Sequence, residues 1–122
     1  MGDIYINTSL FPYRLSVSQD RKASMDLTIE LKNQGTSEKM ISLDLKLPDS
    51  FGADKTGMMR QFSKKLDSLK AGTSKSLVIP LYMSGRARKG DYTASLKVFE
   101  HFNDYKYVTK TYSKELILRV VD

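Results

Sequence analysis

Cysteine is absent from this chain of 122 residues, so disulfide bonds and thiolate metal sites are excluded. The fold must therefore depend on packing and backbone pairing. Long apolar runs are also missing, because none approaches the ~20 residues that a membrane-crossing helix needs. Residues 1–10 lack the basic start and the apolar stretch of a signal peptide. The sequence predicts no membrane insertion.

Histidine is scarce, and glycines are scattered. His101 is the only histidine, and with Asp104 it is predicted to lie on a solvated hairpin tip. A Ser/His/Asp system needs a sheltered pocket with oxyanion donors, which a hairpin tip does not supply. The glycines occur singly at predicted turns, so no phosphate-binding loop is indicated. We expect no catalytic residues and no cofactor-binding site.

The carboxylates are not spaced for acid–base catalysis or for metal binding either. Glu30 and Asp44 are expected to face water from adjacent strands beside Lys32 and Lys46, whereas paired-acid hydrolysis needs two acids across a cleft. A calcium site would need six or more oxygens around one cation. The oxygen ligands available in the predicted loops are too widely spaced for that: Asp49, Asp54, Asn103 and Asp104. The sequence predicts no metal site.

Alternating apolar and polar residues are the strongest pattern that is present. In a strand, successive side chains point to opposite faces, so this period of two predicts one buried and one solvated face. Four runs show it: Met25, Leu27, Ile29, Leu31; Ile41, Leu43, Leu45, Leu47; Leu77, Ile79, Leu81, Met83; and Tyr92, Ala94, Leu96, Val98. The length supports one domain over residues 1–122, burying roughly two-thirds of the surface that its unfolded chain exposes.

Turn residues divide the chain into about seven strands. We predict strands at residues 4–10, 13–18, 24–32, 39–47, 74–83 and 91–100, and a final strand or bent pair of strands over 105–121. Pro12 breaks the first two pieces and suggests an edge strand that bends or switches sheets. Strands 24–32 and 39–47, joined through Asn33 and Gly35, are predicted to form a hairpin or neighbouring pair. Pro80 argues for a sheet edge or a bulge.

Residues 49–61 are predicted to be a loop, and residues 58–69 fit two patterns. Met58, Phe62, Leu66 and Leu69 have helical spacing, whereas Phe62, Lys64, Leu66 and Ser68 would alternate in a strand. We favour a short strand, because Ala71-Gly72 follows and another strong strand begins at residue 74.

Tyr92 follows Gly90 and Asp91 at the start of a late strand, which is the arrangement of a tyrosine corner. In that motif the tyrosine hydroxyl bonds to backbone upstream of it. We therefore predict a structural role for Tyr92.

Positive charge is concentrated in the second half of the chain. The net charge is +6; residues 1–61 carry eight Lys/Arg and eight Asp/Glu, and residues 62–122 carry twelve and six. Such a surface attracts anionic partners through its long-range field. The turn at 84–90 holds a short basic loop of Arg86, Arg88 and Lys89.

The late strands supply a candidate binding face, because basic and aromatic residues are interleaved there. Such a face can hold an anionic polymer by charge and stacking, or can anchor a protein; it can equally be an ordinary solvated sheet surface. Its residues are Lys97, Phe99, Phe102, Tyr105, Lys106, Tyr107, Lys110, Tyr112, Lys114 and Arg119.

Several short motifs at the predicted turns and strand ends together resemble those of a known family of domains. They are Leu31-Lys32-Asn33-Gln34-Gly35, Leu47-Pro48, Leu69-Lys70-Ala71-Gly72-Thr73 and Lys89-Gly90-Asp91-Tyr92. Over residues 3–121 this pattern resembles the immunoglobulin-like CARDB and related modules of bacterial and archaeal surface proteins. The resemblance implies an immunoglobulin-like Greek-key β-sandwich that acts as a spacer, adhesion or accessory binding domain, and it carries no catalytic residues.

We therefore expect an all-β, non-catalytic interaction or structural module associated with a cell-surface assembly, whose partner is a protein or a polysaccharide. The alternative is a free cytoplasmic protein that recognises an anionic partner, such as an acidic protein, a polysaccharide or nucleic acid, through the basic aromatic face. A surface or extracellular location follows if the chain is a domain of a longer exported protein, and a cytoplasmic one otherwise.

Overall fold

A computed structural model describes residues 3–55 and 59–122. This part of the chain contains nine strands and no helix. The strands are β1 (Ile4–Phe11), β2 (Arg14–Ser16), β3 (Ser24–Asn33), β4 (Lys39–Lys46), β5 (Phe51–Gly52), β6 (Gln61–Leu69), β7 (Ser74–Met83), β8 (Gly90–Phe102) and β9 (Asp104–Val121). The all-β prediction is confirmed.

The strands form two packed sheets, so the domain is a β-sandwich. The first sheet has the order β1-β3-β7-β5, and the second has the order β2-β9-β8-β4-β6. All pairs are antiparallel except β2 with β9. The chain changes sheets at Pro12, because β1 and β2 lie in different sheets, and this is one of the two alternatives that the sequence offered.

The pairing predicted between residues 24–32 and 39–47 is wrong. β3 lies in the first sheet and β4 in the second, so the segment between them crosses from one sheet to the other. Each of these strands has one fully buried apolar face. In two facing sheets these apolar faces pack against each other, whereas strands of one hairpin lie side by side and need a further layer to cover them.

The core consists of the inward residues of the alternating runs. Leu27, Leu31 and Leu45 have 0% exposure, and Leu43 has 1%. Of the sixteen positions in the four predicted runs, only Leu77 and Tyr92 are partly buried rather than buried. The register predicted from the alternation is therefore confirmed in all four strands.

Three local features differ from the prediction or resolve its alternatives. The segment after the 49–61 loop is a strand, β6, and not a helix. Residues 105–121 belong to one continuous strand, β9, rather than to a bent pair. The two-residue strand β5 lies inside the predicted loop. Thr56, Gly57 and Met58, which the loop and helix patterns included, lie outside the described residues.

Pro80 lies where β7 has no partner on one side. Its position opposite Asp26 pairs β7 with β3, whereas β5 reaches only Tyr82 and Met83. Proline lacks the backbone donor that a second neighbour would require. The predicted edge position of Pro80 is thus present in the described sheet.

Candidate functional site: a polar and aromatic groove

A groove lies on the outer face of the five-stranded sheet. Its volume is about 660 Å³, within the ~300–1,000 Å³ that is common for small-ligand sites. In β6, β4 and β8, the residues that alternate with the core positions point outward. The register of the three strands places these residues side by side. The outward side chains that line the groove are Ser42, Asp44, Gln61, Ser63, Lys65, Phe99 and His101, and Tyr105 joins them from β9.

Three rings form the aromatic side of the groove. The ring centroids of Phe99 and His101 are 6.3 Å apart, and those of His101 and Tyr105 are 5.0 Å apart in an edge-to-face arrangement. The Tyr105 hydroxyl accepts a hydrogen bond from the backbone N–H of Asp67 at 2.9 Å and donates to the Asp67 carboxylate at 3.2 Å. Asp67 has a φ of 59°, so an irregularity in β6 turns this backbone group towards Tyr105. Tyr105 therefore links β9 to β6 across the end of the groove.

His101 does not lie on a solvated hairpin tip, as the sequence predicted; it is a half-buried residue of β8. The turn itself is centred on Asn103, whose φ is 68°. The Nε2 atom of His101 is 2.6 Å from Oγ of Ser42, and Nδ1 is buried without a hydrogen-bond partner among the described residues. Asp104 accepts instead from the backbone N–H of Lys106. The Ser42–His101 pair thus lacks, in the described structure, the carboxylate that orients histidine in a catalytic triad.

Asp44 is the acidic residue of the groove. Its Oδ1 accepts hydrogen bonds from Ser63 Oγ at 2.8 Å and from Gln61 Nε2 at 3.1 Å. The prediction that Asp44 and Glu30 project from adjacent strands is wrong, because β4 and β3 lie in different sheets. Asp44 is held by neutral donors from β6, and these side chains form a connected polar surface.

Cationic side chains flank this polar surface. Lys65 lines the groove, and Lys97 lies opposite Asp44 on β8. Lys64 borders the groove through β6, but it pairs with the inward Leu43, so its side chain lies on the other side of the sheet. The ammonium of Lys65 lies 5.0 Å from the centroid of the Tyr105 ring, a cation–π distance. The ion pairs found in the described ranges involve none of these three lysines.

The predicted binding face is divided between the two sides of the sheet. Lys97, Phe99 and Arg119 are on the outer side, and Tyr105 reaches the groove. Lys110, Tyr112 and Lys114 pair with Glu100, Val98 and Leu96, whose side chains point inward, so these three lie on the opposite side. Phe102, Lys106 and Tyr107 are exposed near the hairpin turn.

Tyr112 belongs to a structural contact instead. Its hydroxyl donates to the buried carboxylate of Glu100 and accepts from the backbone N–H of Ile4 in the other sheet at 3.3 Å. Lys39 is 3.6 Å from Glu100 and 3.3 Å from Asp3. Burial, followed by the hydrogen bond to Glu100, raises the pKa of Tyr112 to about 12. These groups link the two sheets at the start of β1.

The basic loop of Arg86, Arg88 and Lys89 lies at the far end of β8 from the groove. β8 has 13 residues, and at ~3.3 Å per residue its ends are about 40 Å apart. Lys89 is 3.6 Å from the Asp122 carboxylate. The Tyr92 hydroxyl donates to the carbonyl of Arg88 at 2.7 Å, which is the upstream backbone contact that the sequence predicted. The loop and the groove are therefore separate features.

Ser42, Gln61, Ser63 and Lys65 were not singled out by the sequence analysis, although they line the groove. Their signal was present, because the outward positions of residues 39–46 and 61–65 are mostly polar. What the alternation could not indicate is that β6 pairs with β4 and brings these positions beside Phe99. Within residues 3–55 and 59–122, no group of three or more His, Asp or Glu side chains is placed to hold a metal ion.

No family model matches the chain, and no curated protein matches it in sequence. A solved structure described as "AvmM Catalyzes Macrocyclization in Alchivemycin A Biosynthesis" is similar, with a TM-score of 0.64 at 8% sequence identity. The similarity covers 98% of this chain and 89% of that chain. At this identity the likeness shows a shared fold alone. In the described part of the chain, no helix has the length and apolar character to cross a membrane.

Proposed function

We propose that this domain is a non-catalytic binding module whose ligand site is the groove on the outer face of the five-stranded sheet. The observation that carries the proposal is the convergence of polar and aromatic side chains from four strands on a groove of about 660 Å³. Convergent polar groups beside an apolar surface are the usual composition of a ligand site.

Binding is favoured over chemistry by the surroundings of His101. In the described structure its Nδ1 has no partner, and Asp44 contacts Ser63 and Gln61 rather than a reacting pair. The AvmM structure is described as that of a macrocyclisation catalyst, but its likeness to this chain concerns the fold only. A Ser–His pair without an orienting acid supplies only part of what nucleophilic catalysis needs, and the pair therefore favours a binding role.

A cell-surface setting is part of the proposal. It rests on the resemblance of the sequence to CARDB and related modules. The observed strand order, β1-β3-β7-β5 against β2-β9-β8-β4-β6, is compatible with an immunoglobulin-type sandwich of two antiparallel sheets. That resemblance favours a protein or polysaccharide partner in a cell-surface assembly.

The alternative, a cytoplasmic protein for an anionic partner, is supported by Lys97 and Arg119, which share the outer face with Phe99. Salt discriminates between the nucleic-acid form of this alternative and a packing module. An electrostatic binder that makes about five phosphate contacts loses affinity steeply as the salt concentration rises, whereas a packing module hardly responds.

The test is a fragment screen observed by backbone amide NMR, which requires no knowledge of the ligand. We expect binding fragments to shift the amides of Ser42, Ser63 and Phe99, and to leave Thr28 and Val78 on the first sheet unchanged. His101→Ala should weaken these fragments, whereas Thr28→Ala, on the outer face of the other sheet, should not. Fragments that collect on the first sheet, or on no surface, would overturn the proposed site.

A fluorophosphonate probe tests the absence of catalysis separately. Such a probe forms a covalent bond with activated serines, and we expect mass spectrometry to find no adduct on Ser42. An adduct on Ser42 that disappears in His101→Ala would contradict the non-catalytic proposal, because it would show that the histidine activates the serine.

A further inference from the structure

We infer that the groove binds an acidic saccharide, a sugar chain that carries carboxylate groups; this inference rests on the proposed function of the groove. It follows from three properties of the lining: aromatic rings beside the site, side chains that both donate and accept hydrogen bonds, and an excess of positive charge. Each property suits one part of such a ligand.

The rings of Phe99 and Tyr105 offer an apolar surface to the hydrophobic face of a sugar ring. Both are half-buried in the outer face of the sheet, and His101 lies between them with centroid separations of 6.3 and 5.0 Å. Phe99 has no polar atom, and its exposed part is therefore best covered by an apolar ligand surface. A pyranose ring presents C–H groups on one face and fits this requirement.

The polar side chains suit hydroxyl groups. Ser42 and Ser63 can each donate and accept, Gln61 offers an amide, and Asp44 accepts. A sugar hydroxyl also donates and accepts at once, so several hydroxyls can bond to this surface without leaving a polar group unpaired. An apolar protein partner would instead bury these groups without compensation, which is costly.

The charge of the lining favours a carboxylate on the ligand. Two ammonium groups, those of Lys65 in the groove and Lys97 beside Asp44, outnumber the single Asp44 carboxylate on this face of the sheet. These lysines make no ion pair among the described residues, so their charges are available to a ligand. A nucleic acid strand is disfavoured, because every nucleotide carries a phosphate and one of them would meet the Asp44 carboxylate, whereas a saccharide can present a neutral ring with hydroxyl groups there.

The experiment titrates the intact chain by amide NMR and calorimetry with defined saccharides. The acidic probes are tetragalacturonate, a hyaluronan tetrasaccharide and sialyllactose; the neutral counterparts are methyl-esterified tetragalacturonate, chitotetraose and lactose. We expect at least one acidic probe to shift the groove amides and its neutral counterpart to bind about tenfold more weakly, because a hydrogen bond to a charged group is lost.

Two pairs of variants locate the site. Lys65→Gln should weaken the acidic probe about tenfold, whereas Lys32→Gln, which removes the same charge from the outer face of the first sheet, should leave its affinity unchanged. Phe99→Leu keeps an apolar side chain but removes the ring and should also weaken binding. Phe11→Leu on β1 is its control, since Phe11 is 81% exposed and lies in the other sheet.

The outcomes separate this inference from the proposed function. If neutral and acidic probes bind equally, or if no saccharide binds while fragments still collect in the groove, the acidic-saccharide inference is overturned and the binding groove stands. Tighter binding of single-stranded oligothymidylate than of every saccharide would overturn it in favour of nucleic acid. If neither fragments nor saccharides bind the groove, both proposals fail together.

Discussion

At the residue scale, Glu100 is the only buried ionisable side chain among the described residues, since it is 5% exposed. A buried carboxylate needs hydrogen bonds or a counter-charge, and Glu100 has both in the Tyr112 hydroxyl and the Lys39 ammonium. The inward position of Glu100 on β8 therefore ties β9 and β4 together and, through the Tyr112 hydroxyl, reaches β1 of the other sheet.

The raised pKa of Tyr112 predicts a loss of stability at alkaline pH. Its pKa is about 12 in the folded protein, against an ordinary value of 10.0, so the unfolded chain loses this proton first as the pH rises. The contribution is fully present below pH 10 and declines between pH 10 and 12. In denaturant titrations at pH 9, 10 and 11, the free energy of unfolding should decline less with pH in Tyr112→Phe than in the wild type.

The matched control for that prediction is Tyr107→Phe. Tyr107 is 61% exposed, and both variants remove one tyrosine hydroxyl while keeping every other side chain. Equal declines in the wild type, Tyr112→Phe and Tyr107→Phe would show that Tyr112 does not link folding to proton release.

Removal of the Tyr92 hydroxyl should destabilise the domain modestly. Tyr92→Phe deletes the hydrogen bond to the Arg88 carbonyl, and since Arg88 is exposed, water can replace part of it. We expect a cost of about 0.5–1.5 kcal/mol in the free energy of unfolding by urea titration. Tyr13→Phe, at a tyrosine that is 62% exposed, should cost less, and an equal cost would argue against a role for the Tyr92 contact.

At the element scale, Asn33 holds the end of β3. It has 0% exposure, and its side-chain amide donates to the carbonyls of Ser37 and Leu69 at 2.8 and 2.9 Å. Its side-chain oxygen accepts from the backbone N–H of Gly35 at 2.9 Å. Asn33 therefore connects β3, the crossover to β4 and the end of β6. The sequence identified Asn33 as a turn residue, but its side-chain contacts across 36 residues could not be read from local spacing.

Asn33→Leu tests this connection with a side chain of similar size. The substitution leaves the two carbonyls and the Gly35 N–H without their side-chain partner, and we expect a loss of about 2–4 kcal/mol in unfolding free energy. Thermal and urea unfolding measure it. Asn7→Leu on the exposed side of β1 is the control, and a comparable loss in both variants would contradict the bridging role.

At the scale of the whole molecule, stability depends on one core between the two sheets. Leu43 is 1% exposed on β4, a strand that has neighbours on both sides. Leu43→Asp should therefore unfold the domain, because it places an unpaired charge among apolar side chains. Lys97→Asp introduces the same residue on the outer face and should stay folded. Amide NMR dispersion distinguishes the two, and a folded Leu43→Asp would show that the register of β4 is shifted by one residue.

Charge is also arranged at this scale. Of the twelve Lys and Arg residues in the second half of the chain, Arg86, Arg88 and Lys89 form the loop before β8, and Lys65 and Lys97 lie at the groove. Composition shows the excess of positive charge, whereas the path of the strands decides which of these charges lie together.

The sequence by itself determined the all-β class, the buried faces of the four alternating strands β3, β4, β7 and β8, and the upstream contact of Tyr92, because alternation and turn chemistry are local properties of the chain. Tertiary structure alone decided that β3 and β4 lie in opposite sheets, that Lys110, Tyr112 and Lys114 turn away from Phe99, and that His101 meets Ser42. The physical reason is that an alternation with period two specifies which face of a strand is buried, but it does not specify which strand pairs with it. The groove is a product of pairing, since β6, β4 and β8 must be neighbours before their polar faces can form one site.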